Sequence, residues 1–289
     1  MNNFVRATAG RPVARRIGWL VAVCVAPFAF SAAAAPTFQA GDDPAASSIW
    51  KKVQASVFEG RPVAKAPEGM LILEAPARAV DAAVVPIAIR TRFPAVPGRH
   101  VSKLYLIIDA NPSPVSAIFQ FAPESGRADV ETRVRVDEYS HVRAVAEMSD
   151  GKLYATTRFV KASGGCSAPA GSDAAAALAA MGKMRFRIDG DVRGRDPVLA
   201  QLMINHPNHS GLAMDQATRQ YTPAHFVRKI DVTLGDKLVF SADVDFSISE
   251  NPNFRFYLVP QPGAELRATV IDSRDLRFVS THALRDAPQ

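Results

Sequence analysis

From residue 70 onward the chain is a succession of short runs, alternating or wholly apolar, broken by turn residues. They lie at 70–74, 84–91, 101–109, 115–121, 128–139, 141–148 and 152–160, and again at 183–189, 199–205, 226–234, 237–248, 254–260, 264–272 and 276–284. Alternation with period two, or a short apolar run bounded by Gly, Pro, Asn and Asp, is the pattern of a strand with one or both faces covered. Two sets of seven such runs, spaced roughly 8–12 residues apart, predict an all-β protein built of two antiparallel sandwiches in tandem, residues 43–161 and 183–284. Helical spacing appears ahead of them, where Ile49, Trp50, Val53, Val57 and Phe58 recur before Gly60-Arg61-Pro62. One short N-terminal helix is expected there. Asp109-Ala110-Asn111-Pro112 and Ser249-Glu250-Asn251-Pro252 each precede a strand run and read as turns.

Between the two sets, residues 162–182 contain almost nothing but small side chains, which bury little and order poorly. A flexible Gly/Ala-rich linker is predicted, in which Ala174–Ala180 can form two helical turns. At the other end, residues 1–16 are basic, 17–30 apolar and 31–35 small. That order is a secretory signal peptide, 1–35, with the mature start between Ala33 and Gly41 and the protein delivered to the periplasm. The apolar run is short for a membrane span and contains Pro27, so no span is expected in the mature chain. Arg15-Arg16 fits a basic leader better than a twin-arginine motif. The net charge of +6 includes Arg6, Arg11, Arg15 and Arg16 of that leader, so about +2 remains for the rest. Such a surface has no footprint for nucleic acid.

Loss of the leader removes Cys24 and leaves Cys166 as a lone thiol, so no internal disulfide can form. In an oxidising compartment an exposed thiol is a liability and needs a reason. Cys166 follows Gly164 and Gly165 in a region without apolar anchors, from which an exposed, mobile sulfur is predicted, with the glycines supplying flexibility. Flanked by Gly and Ser, the thiol should keep a pKa of about 8.5. A cysteine hydrolase would hold its sulfur rigidly beside a histidine, and none lies nearer in sequence than His141. A carrier needs the opposite, a thiol that can enter a partner's pocket. With the 12 residues between Val160 and Asp173 anchored at both ends, its tip would reach on the order of 20 Å.

The Gly164-Gly165-Cys166 segment after one β-rich half, followed by a second with His206-Pro207-Asn208-His209-Ser210-Gly211-Leu212 and Pro223-Ala224-His225-Phe226-Val227, resembles the SoxYZ sulfur carriers of periplasmic thiosulfate oxidation. The chain is most similar to the single-chain quinoprotein dehydrogenase-associated SoxYZ-like carriers, with residues 43–170 resembling SoxY and 178–284 SoxZ. The resemblance implies two immunoglobulin-like sandwiches and a covalent carrier cysteine at Cys166, loaded with a thiosulfate-derived or related sulfur group. It also implies partners of the redox kind: a c-type cytochrome complex, a sulfur-compound hydrolase or a quinoprotein dehydrogenase. In the family the cysteine arm ends in GGCGG at a free C-terminus, whereas here Ser167-Ala168-Pro169 and a whole domain follow.

Two other readings compete. Met203, His206, His209 and Met214 form a soft-ligand set that could hold copper, although Pro207 prevents an ordinary helix from aligning the two histidines. A plain immunoglobulin-like adaptor with an incidental cysteine is the other, since fold does not fix function. His225 reads as a structural hydrogen-bonding residue or part of the interface between the halves. No phosphate-cradling glycine loop, Ser-His-Asp signature or interpretable pair of carboxylates is present. The sequence thus proposes neither a catalyst nor a cofactor.

Overall fold

A computed structural model describes residues 38–93, 98–169, 174–215, 218–261 and 263–284. The predicted signal peptide lies outside the described residues. In chain order the elements are α1 (Ser48–Val57), β1 (Val63–Lys65), β2 (Leu71–Glu74), β3 (Val85–Thr91), β4 (Val101–Ile108), β5 (Val115–Phe121), β6 (Val130–Val134), β7 (Ser140–Met148) and β8 (Leu153–Val160). After α2 (Ala174–Ala180) come β9 (Met184–Asp189), β10 (Val198–Ile204), β11 (Val227–Leu234), β12 (Lys237–Val244), β13 (Asn253–Leu258), β14 (Glu265–Asp272) and β15 (Arg277–Ala283). Each of the predicted runs contains one strand. β1, three residues that pair in parallel with β8, carries no alternation from which it could be read. None of the described helices is long and apolar enough to cross a membrane.

The fifteen strands form two sheets, ordered β1-β8-β7-β4-β5-β12-β11-β14-β15 and β2-β3-β6-β13-β10-β9. Both sheets run unbroken from the first half of the chain into the second. β5 pairs with β12, placing Phe121 opposite Phe240 and Phe119 opposite Ala242. β6 pairs with β13 through Glu131 opposite Arg255 and Val130 opposite Phe256. The two halves therefore share their hydrogen-bond ladders, and one hydrophobic core fills the space between the sheets. Phe240 is at its centre: its ring stacks on Phe256 with centroids 4.6 Å apart and lies 5.9 Å from Phe119 and 5.7 Å from Phe121. The contacts with Phe119 and Phe121 cross the seam between the halves.

α1 starts at Ser47, whose Oγ accepts from the Trp50 amide, and buries Trp50 and Val53 on the outer face of the nine-stranded sheet. There Trp50 and Phe58 pack with Tyr105, Ile107, Val145 and Leu153. The Arg143 guanidinium lies 4.6 Å from the Trp50 ring centroid and forks onto Asp109 at 2.8 and 2.5 Å. With both faces covered, β7 is buried along nearly its whole length.

Phe240→Ala removes a ring from the shared core, with an expected cost of about 3–5 kcal/mol. Urea unfolding followed by Trp50 fluorescence, with Trp19 replaced by Phe, should shift by that full amount although Trp50 is in the other half. An unmoved Trp50 transition would mean that the halves unfold independently.

Candidate functional site

The chain leaves β8 without leaving the fold. The Lys161 amide donates to the Ala77 carbonyl, and the Lys161 carbonyl accepts from the Ala79 amide, both at 3.0 Å. Ala162 is buried. Gly164, with φ +79°, donates its amide to Asp137 O at 2.7 Å, and Gly165 donates to Val136 O at 3.1 Å. A Cβ on Gly165 would stand 2.1 Å from Ala82 O and 2.6 Å from Val136 O, so only glycine fits between the two strands of backbone. The Cys166 amide donates to Asp137 Oδ1 at 3.2 Å, and the Cys166 carbonyl accepts from the Ser210 hydroxyl at 2.5 Å.

The predicted exposure of Cys166 is corrected by this geometry: the residue is 0% exposed. Burial, and then the nearby Asp137 carboxylate, push the thiol up to about 12, while Arg135 pulls the other way. Gly165 likewise serves close packing in place of flexibility, and Gly164 supplies the left-handed turn before it. Absence of a side chain permits either freedom or intimate backbone contact, and here the carbonyls of Ala82 and Val136 take up the space. Ser163, Ser167 and Pro169 are exposed, so the buried cysteine has solvent-facing neighbours on either side along the chain. Residues 170–173 of the predicted linker lie outside the described residues, and Ala174–Ala180 is helical as expected.

The seat belongs to both halves. Val136 and Asp137 follow β6, whereas Ser210 comes from the His206–Leu212 run. Arg135, 7% exposed, crosses the seam: its Nη1 donates to Phe246 O at 2.9 Å and Ile248 O at 2.6 Å. Asn111 donates to Arg135 O and accepts from the Asp137 amide, both at 2.9 Å. Asn208, fully buried at φ +48°, donates to Ile248 O and accepts from the Val227 amide. Asp137, Ser210 and Arg135 went unread in the sequence, because nothing in their spacing from Cys166 signals contact. The single hint was Ser210, within the histidine-rich run.

That run does not gather the predicted copper set. Met203 lies in β10 opposite Arg185 and Asn253, Met214 is exposed in a bridge with Tyr221, and His209 bridges His225. His206 instead turns to a buried group with His225 and Asp272, whose candidate ligand atoms lie within 4.8 Å of one another. His225 Nε2 is 2.7 Å from Asp272 Oδ2, and His206 Nε2 is 3.5 Å from the same oxygen. His206 Nδ1 accepts from the Asn208 amide at 3.0 Å, so the neutral ring carries its proton on Nε2, the nitrogen that a metal would need bare. These residues fit a buried structural group, the hydrogen-bonded pair of His225 and Asp272 with His206 against it, better than a metal centre. His225 is in it as the hydrogen-bonding residue that the sequence suggested.

Residues 54–166 match the family model of the sulfur oxidation protein SoxY, and residues 187–283 that of the sulphur oxidation protein SoxZ. Among solved structures, the sulfur carrier protein SoxY from Chlorobium limicola f thiosulfatophilum is 27% identical over 40% of this chain and 92% of its own, with a TM-score of 0.34. A superoxide reductase (neelaredoxin) from Ignicoccus hospitalis is 13% identical over 32% of this chain and 78% of its own, at a TM-score of 0.29. A β-glycosidase from Bacteroides vulgatus is 7% identical over 76% of this chain and 25% of its own, at 0.24. Likeness at those levels carries no functional weight. No curated protein matches the chain.

Iodoacetamide at pH 8 should alkylate Cys166 about a thousandfold more slowly in the folded protein than in urea, since the reagent needs thiolate and access. Gly165→Ala forces the turn off Ala82 and Val136 and should restore fast labelling; equal rates in folded and unfolded protein would show an open thiol. Two separate groups, buried His206 and half-buried Asp245, set opposing acid responses. Burial, then His225, lowers His206 from 6.5 to about 4, so the unfolded state takes its proton first and stability falls as pH drops through that window. Burial raises Asp245 from 3.8 to about 6, so stability falls as pH rises from about 4 to 6. Thermal midpoints across pH 4–6 should therefore fall more steeply toward acid in Asp245→Asn than in the unchanged protein, and less steeply in His206→Gln.

Proposed function

Because the chain belongs to the SoxYZ sulfur-oxidation proteins, with SoxY and SoxZ portions fused in one polypeptide, we propose that it carries a sulfur-containing group covalently on Cys166 and presents it to partner redox proteins. The observation that carries this reading is the SoxY match, which runs through to Cys166 at the end of the first half. The periplasmic address rests on the leader-like residues 1–35. A thiosulfate-derived cargo is the family's expectation, and the quinoprotein dehydrogenase partner comes from the sequence resemblance.

Burial makes the closed seat a resting state. Four hydrogen bonds hold the segment: Gly164 to Asp137 O, Gly165 to Val136 O, Cys166 to Asp137 Oδ1, and Ser210 to Cys166 O. At about 1 kcal/mol net each, opening costs on the order of 4 kcal/mol and leaves roughly one molecule in a thousand open. Once outside, the thiol leaves the low-dielectric seat and the Asp137 carboxylate, and its pKa returns to about 8.5. Loading joins Cys166 Sγ to the cargo sulfur while two electrons and the thiol proton pass to a partner oxidant. Attack by a second thiol on the cargo sulfur breaks its bond to Sγ, moves the cargo onto that thiol and returns the proton to Cys166. The chain's own contribution is to hold the sulfur, shield it and release it.

The same burial favours a second reading, in which Cys166 is a packing residue of an immunoglobulin-like adaptor. Intact mass of the protein from its native host separates the two. The carrier reading expects an added mass on Cys166 that reductant removes and that Cys166→Ser lacks. Unmodified cysteine, or glutathione alone, during active sulfur oxidation would leave the adaptor.

A further inference from the structure

On the outer face of the six-stranded sheet, small residues lie between long ones and leave a groove of about 960 Å³. Strand register shows why. The core-facing members of β2, β3 and β6 are Leu71, Leu73, Val85, Ile87, Ile89, Val130 and Val134, and the alternate residues face outward. One outward row runs Glu74, Ala88, Glu131, Arg255 across four strands, flanked by Ile72 opposite Arg90 and Pro86 opposite Arg133. Ala88 and Pro86 form the low floor. Arg158 and Phe159 of β8 and the 74–77 segment make the side wall, and the Arg158 Nε donates to Leu73 O at 3.2 Å.

Four arginines thus meet two glutamates. Glu131 is gripped by Arg90 and Arg255, each at 2.8 Å, and Glu74 lies 3.2 Å from Arg90. Arg133 and Arg158 have carbonyl partners, Asn251 O and Leu73 O, and Arg133 Nε is buried with no hydrogen-bond partner among the described residues. The groove therefore has an excess of positive charge in planar forks suited to carboxylates, above an apolar floor. A single oxyanion would fill only a small part of such a volume, whereas an extended acidic peptide matches its size, charge and apolar content. The chain outside the leader is nearly neutral, so the excess is local.

We propose that this groove docks an acidic, extended segment of a partner protein. Its position relates it to the cysteine. The wall residue Ala77 accepts from the Lys161 amide, and the same loop continues to Ala82, which covers Gly165. A segment bound here lies against the loop that packs on Gly165, the residue before Cys166. That the docked protein is one handling sulfur cargo rests on the carrier reading; that an acidic segment binds does not.

The test uses the full chain and a short fluorescein-labelled peptide alternating glutamate and leucine, followed by anisotropy. Binding should saturate, weaken as salt rises, and fall about tenfold when Arg158→Gln and Arg255→Gln are combined, while Arg277→Gln changes nothing. Arg158→Gln alone breaks no ion pair among the described residues and gives a smaller loss in the same direction should the double variant fail to fold. No saturable binding, or equal binding by wild type and Arg158→Gln, would overturn the proposal. Displacement of the peptide by sulfate, beyond that by sodium chloride of equal ionic strength, would reassign the groove to small oxyanions. Neither result alters what intact mass reports on Cys166.

Discussion

The antiparallel ladder between Val115–Phe121 and Lys237–Val244, backed by the Phe240 ring against Phe119 and Phe121, is the interaction on which the rest of this structure depends. It makes two sequence halves into one pair of sheets. The second junction, Val130 and Glu131 against Phe256 and Arg255, does the same for the other sheet. In doing so these ladders remove two strand edges from each half that would otherwise stand open to unwanted pairing. They also fix β6 relative to the His206–Leu212 run, and so bring Asp137 and Ser210 to opposite sides of Cys166. The cysteine seat is a product of the seam; neither half could build it alone.

Within that seat the polar groups are satisfied almost entirely by backbone. Arg135 spends its donors on the Phe246 and Ile248 carbonyls, Asn111 and Asn208 each join two distant segments, and Asn251 accepts from the His206 amide through Oδ1. A buried side chain that bonds to backbone fixes the path of a loop more firmly than apolar packing does, because a misplaced loop leaves an unpaired polar group in a dry interior. The two Asn-Pro turns are such fixtures. Asn251 takes a positive φ of 50°, a conformation that asparagine tolerates better than most residues, and Asn111 is buried.

Much of this was legible from residue order. Alternation at 70–160 and 183–284 marks every strand but β1, which is too short and unpatterned to register. The helical spacing around Trp50 marks α1. What alternation cannot supply is partnership: it says which face of a strand is covered but not which strand lies beside it, so β5 against β12 and β6 against β13 had no signature. The cysteine failed for a related reason. Gly164-Gly165 is compatible with a free arm and with a backbone pressed against Ala82 and Val136, and only three-dimensional neighbours decide between them. His206 shows the same limit, since its spacing to His209 pointed to a shared ligand while its real companions, His225 and Asp272, are distant in sequence.

Because the cysteine segment is followed along the chain by a half that shares its sheets, the sulfur lies within a stretch held at both ends, unlike a tail. A short loop of this kind samples closure on the order of 100 ns, whereas a partner at micromolar concentration with an ordinary association rate constant of about 10⁶ M⁻¹s⁻¹ arrives roughly once a second. At one open molecule in a thousand, about one arrival in a thousand meets an already opened loop. On the carrier reading, a protein that is in place before the thiol emerges has the advantage, so that the timing of exposure, alongside the nucleophilicity of the thiol, decides which visitors react.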